Sequence, residues 1–79
     1  MGHARPRPTR LAGKLLQIRR SLGMSQPQIA KHLGVKDYSD VSKYELGKNE
    51  PPLVVLLAYS KLSGHSINDL ADDRVNLSA

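Results

Sequence analysis

Apolar residues recur along this 79-residue chain at helical spacing, in segments broken by glycine and proline. Leu11, Leu15, Ile18 and Leu22 make one stripe at i, i+4, i+7 and i+11, and Lys14, Gln17 and Arg20 fall away from it. Thr9 is placed to cap this first helix, and Gly23 to end it in a left-handed turn. A second helix is predicted from Ser25 to Gly34, with Pro27 tolerated in its first turn and Ile29, Ala30 and Leu33 as its apolar face. The third runs from about Tyr38 to Leu46. Asp37 is its N-cap, Asp40 follows three residues later as a short-armed capping box, Val41 and Tyr44 face inward, and Gly47 stops it. After the loop Asn49-Glu50-Pro51-Pro52 comes the most apolar segment, a fourth helix from Leu53 to Ser63 carrying Leu53, Leu56, Leu57, Tyr59 and Leu62. Gly64 ends it, and Ser66 can cap a short last helix holding Ile67 and Leu70.

No segment alternates with period two, so the pattern predicts an all-α chain of five helices in one domain. Helices this short are marginal alone in water, so their packing must supply the stability. The expected organisation is a flexible basic arm over residues 1–8, a domain over 9–73 and a C-terminal tail over 74–79. The arm contains Pro6 and Pro8, which impose extended geometry on the residues before them.

Charge changes the picture because it is unevenly placed. Residues 1–31 carry Arg5, Arg7, Arg10, Lys14, Arg19, Arg20 and Lys31 with no acid, while the last fifteen residues are net acidic through Asp69, Asp72 and Asp73. The net charge of +5, concentrated at one end, suits a polyanionic partner. The chain has no cysteine, which removes disulfides and thiolate metal sites. Its longest apolar run, Leu53 to Tyr59, is far below the roughly 20 residues of a membrane span. A cytoplasmic protein without membrane contact is therefore expected.

Catalysis is not expected. His3, His32 and His65 lack ligand spacing, and the neighbours Asp72 and Asp73 diverge on a helix, so no metal, cofactor or catalytic residue is assigned. His32 is expected on the exposed side of the second helix.

The stretch from Ser25 to Val35 (Ser-Gln-Pro-Gln-Ile-Ala-Lys-His-Leu-Gly-Val) is followed by Val41-Ser-Lys-Tyr-Glu-Leu-Gly-Lys-Asn-Glu-Pro-Pro. Together they resemble the phage-repressor/Cro-like (XRE-type) helix-turn-helix family, and with Ile18-Arg19, Gly23 and Leu70 the resemblance covers residues 9 to 73. It implies a lambda-repressor-like fold and sequence-specific binding of double-stranded DNA by a transcription regulator, expected to be a repressor. The recognition helix, about 38–46, would enter the major groove, with Tyr38, Ser39, Ser42 and Lys43 reading bases. Gln26, Lys48 and Asn49 match backbone-contacting positions, and Lys36 and Arg20 are further phosphate candidates. Arg19 and Glu45 match a structural salt bridge between the first and third helices.

Two departures stand out. The span from Gly34 to the Ser-Lys-Tyr-Glu run is one residue longer than the family's, which can slide the base-reading positions by one. His65 stands where the family has an apolar residue. The basic arm has two readings, disorder or contact with phosphates and the minor groove. A homodimer is expected because family members pair to read two half-sites, with Ile67, Leu70, Val75 and Leu77 as the expected interface. The alternative is an antitoxin or adaptor-like module that binds a toxin or a further regulatory domain, with DNA binding secondary.

Overall fold

The computed structural model describes residues 10–77, which form α1 (Leu11–Ser21), α2 (Gln26–Leu33), α3 (Tyr38–Glu45), α4 (Leu53–Ser63) and α5 (Ile67–Ala71). Among the described residues there is no strand. The basic arm and Thr9 lie outside the described residues. Arg10 occupies the cap position of α1 and makes no side-chain cap bond. A distant carboxylate serves instead: the Arg10 N–H donates to Asp73 Oδ1 at 2.9 Å.

The helix boundaries follow from local chemistry. Ser25 and Gln28 form a reciprocal capping box, with the Gln28 N–H donating to Ser25 Oγ and the Ser25 N–H to Gln28 Oε1. The Ser-x-x-Gln spacing carried that signal in the sequence. At the other end of α2, Gly34 has φ 73°, a left-handed conformation that costs glycine nothing and lets the chain turn sharply into α3. Asp37 caps α3 by accepting from the Ser39 N–H at 3.0 Å. The expected capping box with Asp40 does not form. The Asp40 N–H bonds the Asp37 carbonyl, while its carboxylate makes no hydrogen bond among the described residues.

α1 packs on α3, α4 and α5, while α2 packs on α3 and α4, enclosing one core. Leu15, Ile18, Ile29, Val41, Tyr59 and Leu70 are fully buried at its centre. Several positions depart from what the pattern alone suggests. Leu22 caps the end of α1 and is 37% exposed, although its backbone is still helical and its N–H bonds the Ile18 carbonyl, because the core does not reach as far as that end of the helix. Lys14, read as falling away from the apolar stripe, is 3% exposed, its ammonium donating to the Asp69 and Asp72 carbonyls at 2.5 and 2.6 Å. The Asp69 carbonyl lies in the last turn of α5, and the Asp72 carbonyl also accepts from the Val75 N–H, so the lysine adds donors where that helix ends. On α4, Val55 and Tyr59 face the core, whereas Leu53 and Leu57 are exposed.

The tail also joins the core. Leu70 and Leu77 belong to the core, so the packed unit continues past 73 to Leu77, and neither residue can form an outer interface. Gln17 Nε2 donates to the Leu77 carbonyl at 3.1 Å, and the Arg10 guanidinium bonds the Asp73 carbonyl and the Asn76 side chain. The basic start of α1 thus holds the acidic tail.

Candidate nucleic-acid interface

α3 is divided lengthwise by its own periodicity. Val41 and Tyr44 enter the core, and Glu45 sits beside them with its side chain 5% exposed. Burial raises the Tyr44 phenol above its ordinary value, with Asp40 adding a smaller push in the same direction. On the opposite side Tyr38, Ser42 and Leu46 recur four residues apart, and Ser39 and Lys43 do likewise, giving one continuous outer face. Tyr38 and Lys43 are exposed, Ser39 and Ser42 half-buried. Leu46, 65% exposed, belongs to this face and was not singled out from the sequence, although its spacing from Ser42 carried the information.

The side chains of Tyr38, Ser42 and Lys43 make no hydrogen bond within the described residues, which leaves their polar groups available. Ser39 differs. Its N–H and hydroxyl both serve the Asp37 carboxylate and hold that carboxyl below its usual range. Asp37 and Asp40 crowd the N-terminal end of α3 with negative charge, which disfavours a phosphate there. α2 is the reverse case: its first turn holds no acid, and its dipole presents a positive end beside Gln26.

One carboxylate ties these parts together. Glu45 receives Arg19 Nε at 2.7 Å and Arg19 Nη2 at 3.0 Å, a bidentate pair between α1 and α3. It also accepts from Gln26 Nε2 at 3.1 Å. Arg19 completes its fork with the Met24 carbonyl at 3.0 Å, and its pKa is raised first by the bond to Glu45. Arg19 is thus engaged inside the protein. Gln26 is also partly engaged: one amide proton goes to Glu45, which fixes the side chain beside the last turn of α3 and leaves the other proton and the amide oxygen.

The loop after α3 folds back on the same place. The N–H groups of Lys48 and Asn49 both point at the Lys43 carbonyl, at 2.9 and 3.4 Å. Gln26, Lys43, Lys48 and Asn49 therefore gather around the C-terminal end of α3, with both lysines and Asn49 exposed. Lys36 lies apart, exposed in the turn before α3. Arg20 is not drawn into the group. It lines a shallow groove on α1 with Gly13, Leu16, Gln17 and Ser21, and no residue of α2 or α3 shares it.

A helix-turn-helix family model matches residues 15–70, which takes in all of α2, α3 and α4, the larger part of α1 and all but the last residue of α5. The chain belongs to the Cro-like, XRE-type helix-turn-helix family. No curated protein and no solved structure matches it. The family is one of DNA-binding transcription regulators, and the five-helix fold is the lambda-repressor-like one. In this helix-turn-helix chain α2 and α3 are the two namesake helices, joined through Gly34. No helix among the described residues is long and apolar enough to cross a membrane.

Proposed function

We propose that this helix-turn-helix domain binds double-stranded DNA sequence-specifically as a transcriptional repressor, with the outer face of α3 in the major groove. The observation that carries the reading is the gathering of Gln26, Lys43, Lys48 and Asn49 around the end of a helix whose outer Tyr38, Ser42 and Lys43 side chains make no hydrogen bond among the described residues. Lysine and amide groups at that end meet backbone phosphates and fix the register. Ser42, Tyr38 and Lys43 then reach base edges: Lys43 donates to guanine acceptors, and the Ser42 hydroxyl serves as donor or acceptor. Ser39 contributes less to readout, because the Asp37 cap holds it. Lys36 adds a peripheral phosphate contact, and Arg20 the weakest of the set.

The test is a salt titration on a duplex selected from random sequence. Log affinity should fall linearly with log salt, by about 0.9 for each phosphate contacted. Lys48→Ala should weaken every duplex alike and reduce the slope by about one contact, whereas Ser42→Ala should alter the selected sequence. No duplex binding at about 50 mM salt would refute the reading and leave the antitoxin or adaptor-like alternative.

A further inference from the structure

Among the described residues on the outer face of α3, Leu46 alone has a side chain that can neither give nor take a hydrogen bond. It stands at the C-cap of the helix, four residues after Ser42, and its N–H bonds the Ser42 carbonyl at 2.9 Å. The helical period that turns Val41 and Tyr44 into the core turns Leu46 outward, where it is 65% exposed. A single leucine in water is ordinary on a protein surface. Its company sets this one apart. Lys43 comes three residues before it, Lys48 and Asn49 follow it, all three exposed, and Gln26 is held alongside by its bond to Glu45.

We propose that Leu46 reads the 5-methyl group of a pyrimidine in the major groove, an inference that rests on the DNA-binding reading above. With α3 in the groove, its neighbours are phosphate oxygens, base-edge donors and acceptors, and pyrimidine methyls. An isobutyl group set against a phosphate or a base-edge acceptor strips water from it and returns no hydrogen bond. The methyl is the apolar feature of the groove floor, and an apolar side chain gains by covering it.

The charges along α3 bring the right end of the helix in. Asp37 and Asp40 put negative charge at its N-terminal end, while Lys43 and Lys48 stand at the other. The phosphates flanking the groove therefore attract the C-terminal end more strongly, and that end carries Leu46. The methyl belongs to thymine or to 5-methylcytosine, which project it from the same ring carbon into the same groove. Where a cytosine takes that place, binding responds to its methylation.

The test uses the full chain and a duplex that it selects from random sequence, with each thymine replaced in turn by uracil. Uracil keeps the pairing and the O4 acceptor and lacks the methyl. At one or more positions the replacement should weaken binding about four-fold, the equivalent of one buried methyl group lost. Leu46→Ala should bind the thymine and uracil duplexes alike, with wild-type circular dichroism and urea midpoint. Leu46→Met, apolar and of similar volume, should keep most of the discrimination. Should Leu46→Ala disturb the fold, Leu46→Ser carries the same comparison. A wild type that loses less than about two-fold at every uracil position would overturn the proposal. Discrimination undiminished in Leu46→Ala would overturn it in favour of another side chain.

Cytosine and 5-methylcytosine at the same position distinguish the two sources. A gain on methylation in the wild type alone assigns the contact to the methyl of either base. No gain in either protein assigns it to thymine, and the proposal stands in both cases. An equal gain in wild type and Leu46→Ala would overturn Leu46 as the reader. A wild type that binds no duplex at about 50 mM salt refutes the DNA reading and this inference together. One that binds duplex without regard to the methyl refutes this inference alone.

Discussion

Glu45→Ala removes a carboxylate that joins α1, α2 and α3. The Arg19 guanidinium, whose side chain is 17% exposed, would keep only the Met24 carbonyl, and Gln26 would lose its acceptor. Breaking a buried ion pair by deleting one partner costs about 3–5 kcal/mol, because a charge is left without compensation. Partial access of Arg19 to water puts the expected loss near the lower end, at about 3 kcal/mol. The whole domain, at about 0.05–0.15 kcal/mol per residue, has only about 4–12 kcal/mol to lose. The melting temperature should then fall by about 12–24 °C. Urea unfolding followed by circular dichroism measures the loss directly. Replacing both partners, Arg19→Met with Glu45→Leu, should return stability to within about 1 kcal/mol of wild type, since neither charge then remains to be desolvated. A loss below about 1 kcal/mol for Glu45→Ala is what an exposed pair gives, and would refute the assignment of Arg19 and Glu45 as an internal brace.

Lys14→Met should cost about 2 kcal/mol by urea unfolding, from lost charge-assisted bonds to the Asp69 and Asp72 carbonyls. Amide exchange over residues 69–77 should accelerate with it, and unchanged exchange there would show that the lysine does not hold the tail. Tyr59→Phe should leave stability unchanged or raise it by up to about 1–2 kcal/mol, because the buried Tyr59 hydroxyl has no partner among the described residues. A loss above about 1 kcal/mol would reveal one. Asp37 titrates below its ordinary value through its bonds from Ser39, and Asp72 is lowered to about 2 by its bonds from Arg74. Folded-state values below the unfolded ones stabilise the protein above the unfolded value of 3.8 and lose that contribution as pH falls towards about 2. Asp37→Asn with Asp72→Asn should therefore unfold more easily than wild type at neutral pH, with the gap closing through that window.

Much of the fold was legible because it rests on local rules. The stops at Gly23, Gly34, Gly47 and Gly64 are all left-handed in the structure, and the caps at Ser25, Asp37 and Ser66 all accept the expected kind of N–H. Spacing alone separates Val41 and Tyr44 from the outer face of α3, because the helical period assigns sides before any partner is known. The same period puts Lys14 three residues after Leu11, on the buried side of α1, so it does not fall away from the stripe as the sequence reading had it. What lay opposite it was the end of α5, and that is set by the return of the chain 55 residues later.

The candidate site divides in the same way. Its residue types and their order along α2 and α3 are a property of the sequence. Three things required the tertiary structure: the hydrogen bond that ties Gln26 to Glu45, the isolation of Arg20 on α1, and the burial of Leu70 and Leu77. Each depends on which surfaces meet across the core, and side chains of equal hydropathy have no preference until that is fixed. Leu53 and Leu70 are the same residue at equally apolar positions. Leu70 is fully covered because α1 and α4 converge on it; Leu53 stands largely in water because no described residue does the same for it.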